Sequence, residues 1–113
     1  MKMNIQKVAG IAVVSLSGRI DAVSAPDFER QMTDEIQRGE IRWVLDFSGL
    51  DYISSAGLRA LLSLAKQMKG KGGHFHLCGL KGMVKEVFDL SGFTSMFFIS
   101  ESAEDAKKRI PPL

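Results

Sequence analysis

Two adjacent serines, Ser54 and Ser55, stand where an apolar run ends and a helix-spaced one begins. Val44, Leu45 and Phe47 read as a core strand closing in turn residues, whereas Leu58, Leu61, Leu62, Ala65 and Met68 recur at helical spacing. Hydroxyls placed there meet the unpaired N–H groups and the positive dipole end of a helix, which favour an oxygen or a phosphate. Capping, phosphate acceptance and nucleophilic attack are the chemistries open to such a pair, and on spacing alone the cap is the commoner.

The nucleophile reading lacks its partners. A serine-hydrolase elbow needs glycine two residues before the nucleophile, and Ile53 occupies that place before Ser55. Asp21, Asp46 and Asp51 could gather at the strand ends beside the serines, yet they suit turns and caps equally, and no histidine is positioned as a base. Gly70-Lys71-Gly72-Gly73 has neither the leading glycine of a phosphate loop nor the Ser or Thr after its lysine, so it reads as a flexible connection. His74 and His76 share a strand face but find no second pair of ligands at metal spacing. They read as polar residues on the less buried face of an edge strand. Cys78 ends an apolar strand pattern and reads as a buried thiol. No enzyme, metal site or cofactor is therefore expected.

The elements that must carry the serines follow from periodicity. Met1, Met3 and Ile5 alternate with polar residues, Ala9-Gly10 offers a tight turn, and Ile11 to Ser17 is a second strand ended by Gly18. Arg19 to Val23 then crosses to a first helix, with Ser24 and Asp27 in a capping-box arrangement and Phe28, Met32 and Ile36 as its buried stripe to about Gln37. Trp43 to Phe47 is the third strand, Ser55 to Lys69 the second helix, and His74 to Cys78 the next strand. Met83 to about Leu90 forms a helix with Val84, Val87 and Phe88 inward, closed by Ser91-Gly92. Phe97 to Ile99 is a last strand, and Ala103 to Arg109 a closing helix ended by Pro111-Pro112. This alternation predicts one α/β domain over residues 1–113, with a largely parallel sheet behind an opening hairpin.

Composition narrows the partners. The 113 residues are 45% hydrophobic and 25% charged, the balance of one soluble globular core. A formal net charge of +2, with its cations dispersed apart from Lys66, Lys69 and Lys71 and a terminal Lys107-Lys108-Arg109, implies no nucleic-acid surface. No stretch approaches the roughly 18 apolar residues that span a bilayer, and the N-terminus has no signal-peptide core, so a cytoplasmic protein without membrane insertion is expected.

Three ordered segments resemble the STAS domains, and within them the bacterial anti-sigma factor antagonists. Leu16-Ser17-Gly18-Arg19-Ile20-Asp21 is similar to the family's strand and "G-x-[IL]-D" segment. Leu45-Asp46-Phe47-Ser48 followed by Tyr52-Ile53-Ser54-Ser55-Ala56-Gly57-Leu58 is similar to its "D-[LF]-S … [DS]-S-[SA]-G-[LI]" signature. Val84 to Phe93 resembles its third helix and glycine stop. The resemblance covers nearly the full chain and implies a mixed, mostly parallel sheet of about five strands with about four helices packed mainly on one side.

It also implies a switch. The family's phosphoacceptor maps onto Ser55, with Ser54 as the minor alternative because it replaces the Asp common before the acceptor. By that resemblance the unphosphorylated protein binds an anti-sigma factor that is also a serine kinase, phosphorylation releases it, and a PPM-type serine phosphatase restores binding. Asp21, Ser54, Ser55, Gly57 and Arg59 are the expected partner-binding residues. Arg59, one turn beyond Ser55, is placed to contact a partner or a phosphate, and Leu64 to give the docking face an apolar margin. The alternative is a STAS subunit of a lipid-transport ATPase or signalling scaffold in which Ser55 only caps.

Overall fold

The computed structural model describes residues 1–111. The chain opens with a hairpin of β1 (Lys2–Val8) and β2 (Ile11–Ile20), joined through Ala9 and Gly10 at φ of 51° and 80°. Left-handed conformations at both central residues make the turn whose twist matches that of its strands. There follow α1 (Ala25–Gln37), β3 (Arg42–Ile53), α2 (Ser55–Gly70), β4 (His74–Cys78), α3 (Gly82–Ser91), a 3-10 turn (Phe93–Met96), β5 (Phe98–Ser100) and α4 (Ala103–Lys108). The strands lie side by side in chain order, with β1 antiparallel to β2 and every later pair parallel. The expected α/β class and mixed sheet are what the structure shows. The proline pair expected to end the last helix reaches to Pro112, which lies outside the described residues.

Two strands run further than their sequences suggest. β2 does not stop at Gly18, and β3 does not stop at Phe47 but continues through Ser48-Gly49-Leu50-Asp51-Tyr52 to Ile53. The β2–β3 register shifts between Ser15 and Ser17 and again between Gly18 and Arg19, so β3 spends extra residues against its neighbour. Core-facing positions on β3 therefore fall at Trp43, Leu45 and Phe47, then at Leu50 and Ile53, three apart instead of two. At the first shift a Cβ on Gly49 would lie 2.9 Å from the Leu16 carbonyl oxygen, so only glycine fits there without movement.

Helices α1, α2 and α3 cover one face. Phe28, Met32 and Ile36 of α1, Leu61, Leu64 and Met68 of α2, and Val84 and Phe88 of α3 close over Val14, Leu16, Trp43, Leu45, Phe47 and Leu77. Gly92 at φ 79° ends α3 as expected, and Ser24 does not cap α1 with its side chain. Instead Ser24 is folded into a turn made by Asp21, and Asp27 engages Arg30 and Gln31 on its own helix.

Helix α4 lies on the opposite face. Ala106 and Ile110 pack there against Ile11, Val44 and Cys78, in a cluster separate from the main core. Because β5 flanks it, β4 is an interior strand, which corrects the edge-strand reading of the two histidines. His76 is buried, stacked 5.0 Å from the ring of Phe98.

Burial, with the nearby charges of His74 and Arg109, holds the His76 pKa below the usual histidine range. The unfolded chain then binds the proton more readily than the folded one, so stability is full above about pH 6.5 and is lost as pH falls from there toward the folded value. Urea midpoints at pH 7.5 and 5.5 are expected to fall with acidity in the native protein and to converge in His76→Gln; an equal fall in both would place the titration elsewhere.

Candidate functional site

The site lies at the carboxyl end of β3, where its last bulged residues deliver the chain into α2. Ser54 is extended (φ −89°, ψ 172°), and its Oγ accepts a hydrogen bond from the Gly57 N–H at 3.2 Å. Its own N–H donates to the Ile20 carbonyl at 2.8 Å, which ties the start of α2 to the end of β2. Ser54 is thus the cap. Ser55 is the first helical residue, exposed, and its hydroxyl makes no hydrogen bond among the described residues.

The two serines that look alike in sequence divide their work. Ser54→Ala removes the partner of an otherwise orphan helix N–H and is expected to cost about 1 kcal/mol in a urea titration. Ser55→Ala removes nothing the fold uses and is expected to stay within about 0.5 kcal/mol of the native protein. The opposite ranking would reverse this assignment.

Asp21 shares this end of the sheet, since the Ile20 carbonyl beside it holds Ser54. Its Oδ1 accepts from the N–H groups of Ser24 at 2.9 Å and Val23 at 3.0 Å, and the Ser24 hydroxyl lies 3.2 Å away. The Ser24 N–H contributes most to keeping this carboxyl below the usual aspartate pKa, helped by the Ser24 hydroxyl, the Val23 N–H and Arg19. Its visible role is to build a rigid turn that carries Val23 at 88% exposure, an apolar side chain that periodicity alone does not single out.

Other expected residues fall elsewhere. Asp46 pairs in register with Ser15 and Cys78, and β3 runs seven residues beyond it, on the order of 20 Å at strand rise. It does not join Asp21. Instead its Oδ1 accepts the Ser48 N–H at 2.9 Å. The Cys78 thiol is pushed up to about 12 by burial, then by the charge of Asp46 and their hydrogen bond, so it stays protonated and unreactive. Gly57 is buried and offers a partner no surface: a Cβ there would lie 2.7 Å from Ile53 Cγ1 and 2.8 Å from Ile20 Cγ2. Leu64 is fully buried core, which corrects its placement at a docking margin, whereas Leu62, expected in the buried stripe, is half-exposed. Arg59 is exposed as expected.

This arrangement presents a hydroxyl without a hydrogen-bond partner on a fixed helix start, with the Asp21–Ser24 turn at the same end of the sheet and no metal ligand set among the described residues. A mixed sheet in chain order, opened by an antiparallel hairpin, whose third strand hands a capped serine pair to the second helix defines a STAS domain, and the chain belongs to that family, whose pattern matches residues 2–106.

Its relatives narrow the class. BtrV of Bordetella bronchiseptica, named as a candidate anti-sigma factor antagonist, is 42% identical over 106 residues, which is 94% of this chain and 91% of BtrV. An anti-sigma factor antagonist from Mycobacterium paratuberculosis superposes with a TM-score of 0.88 at 25% identity, over 96% of this chain and 92% of that one. The phosphorylated form of the Bacillus cell fate determinant SpoIIAA shares the fold, with a TM-score of 0.73 at 18% identity over 96% and 98% of the two chains. No helix of the described residues is long and apolar enough to cross a membrane.

Proposed function

We propose that this protein is a non-enzymatic anti-sigma factor antagonist of a partner-switching system, with Ser55 as its phosphoacceptor. The unmodified protein binds an anti-sigma factor that is a serine kinase, phosphorylation of Ser55 ends that binding, and a PPM-type phosphatase restores it. The observation that carries this reading is the division of labour at the start of α2, where Ser54 caps and leaves the Ser55 hydroxyl exposed and unengaged. The similarity to BtrV and to anti-sigma factor antagonists across nearly the whole chain supports the partner class.

The physics of the site suits the switch. A phosphate adds about −1.5 to −2 charge, which the free N–H groups and dipole of a helix start accommodate without unfolding. A partner seated over Ser55 instead meets a hydrated dianion inside its contact and loses affinity through desolvation. Incubation with the cognate kinase and ATP, followed by mass spectrometry, should place phosphate on Ser55. Phosphate on neither Ser55 nor Ser54 overturns the reading.

A further inference from the structure

Helices α1, α3 and α4 hold internal ion pairs and α2 holds none, although Lys108 of α4 is also unpaired among the described residues. Helix α1 pairs Arg30 with Asp27 and Arg38 with Glu35, α3 pairs Lys85 with Asp89, and α4 pairs Lys107 with Glu104, each three or four residues apart. Helix α2, the longest, contains no Asp or Glu, and none of Arg59, Lys66 and Lys69 forms an ion pair among the described residues. Across the α1 packing, Glu29 accepts a hydrogen bond at 2.8 Å from the Ser63 hydroxyl on the flank of α2. On the exposed side, Ser55, Arg59, Leu62 and Lys66 follow at intervals of four, three and four, which is one stripe along a helix. Cations without an internal partner around a half-exposed leucine leave this stripe free to meet an acidic surface.

We propose that the Ser55–Arg59–Leu62–Lys66 stripe docks on an acidic face of the partner kinase, and that phospho-Ser55 withdraws Arg59 from that face into an ion pair within α2. This rests on Ser55 being the phosphoacceptor. Residues at i and i+4 have their Cβ atoms about 5–6 Å apart, and an anion on the N-terminal member with a cation on the C-terminal member is the favourable order on a helix. The Arg59 guanidinium can reach a phosphate there through two parallel hydrogen bonds. Phosphorylation then acts twice: it sets a dianion against an acidic partner, and it removes the cation that partner had bound. Lys66, three turns from the helix start, is beyond the phosphate's reach and serves affinity alone.

The test has two arms on the full chain. In the first, phosphoserine is installed at position 55 and its second ionisation, near pH 6 when unperturbed, is followed by 31P NMR. The native chain should titrate lower than Arg59→Gln by about half a unit, and Arg59→Lys should fall between them because it keeps the charge and loses the fork. In the second arm, binding of the unphosphorylated protein to the cognate kinase is measured against salt. Arg59→Glu and Lys66→Glu should each weaken binding about tenfold at low salt, with a smaller loss at high salt.

Identical 31P titrations of native and Arg59→Gln proteins, or unchanged kinase affinity for both charge reversals, overturn this inference while leaving Ser55 as the acceptor. A kinase that neither binds nor phosphorylates the native protein overturns the proposed function itself. The NMR arm, which needs no kinase, separates the two failures.

Discussion

Ser55→Glu is expected to bind the partner kinase at least about tenfold more weakly than the native protein, about 1.4 kcal/mol, while its stability holds or rises by up to about 0.5 kcal/mol. These opposite directions come from one place in the fold. As the first residue of α2, position 55 meets the positive end of the helix dipole, where a carboxylate is welcome. It is also exposed and free of internal hydrogen bonds, so the fold loses nothing when the hydroxyl is replaced. Its cost falls on the complex, in which a charge must be stripped of water or repelled by acidic groups. Ser55→Ala should bind like the native protein and remain bound in the presence of ATP. Calorimetric titration of the three proteins against the kinase, beside urea midpoints for each, checks both halves. Equal affinities for the Glu and Ala variants would remove position 55 from the interface, and a fall in stability for Glu would mean that the helix start is not free to accept charge.

Gly57→Val is expected to lower stability by about 3 kcal/mol or more, a large share of the roughly 5–15 kcal/mol that holds a domain of this kind together. A first carbon at this position already meets Ile53 Cγ1 at 2.7 Å and Ile20 Cγ2 at 2.8 Å, and both isoleucines are fixed in the core at 2% and 0% exposure. Valine adds two more carbons to a space that has none to give. Gly57→Ala should be milder, because the gain of about 1 kcal/mol in helix propensity offsets part of the crowding. Gly70, at the far end of the same helix, supplies the control: nothing lies within 4 Å of its added carbon, so Gly70→Ala should be neutral or stabilising. A Gly57→Val protein as stable as the native one would show that α2 can ride up from the sheet at little cost. The glycine of the signature therefore lets the helix start lie against the ends of β2 and β3, which fixes where Ser55 stands.

Periodicity recovered the order of the elements because most of them bury a regular stripe. Phe28, Met32 and Ile36 on α1, and Val84 and Phe88 on α3, are buried as their spacing requires. It failed where the backbone is irregular. Ser48-Gly49-Leu50-Asp51-Tyr52 resembles a turn because two register shifts break the alternation that marks a strand, and its polar residues face water from a sheet that continues beneath them. On α2 the expected stripe is buried at Leu58, Leu61 and Met68, but Gly57, Ala60 and Leu64 widen the buried face to one side and leave Leu62 and Ala65 half-exposed on the other. Sequence placed both serines at the start of α2, where the structure has them, and the choice of Ser55 as acceptor rests on the family resemblance. Which one caps depends on a single hydrogen bond, from Gly57 N–H to Ser54 Oγ, and adjacent identical residues carry no mark of it. Val23 escaped notice because an isolated valine in a connecting segment has no period, and only the turn built by Asp21 shows that it is held out rigidly.

The placement of α4 alone on the far face divides the molecule by how readily its parts open. Ala106 of α4 and the following Ile110 form a cluster with Ile11, Val44 and Cys78 that shares no side chain with the main core, so α4 is expected to open locally while α1, α2 and α3 stay seated. In native-state hydrogen exchange the amides of α4 would then report a small local opening energy, and those of β3 and the middle of α2 the energy of global unfolding. The helix that presents Ser55 is thus expected to exchange slowly, and α4 quickly.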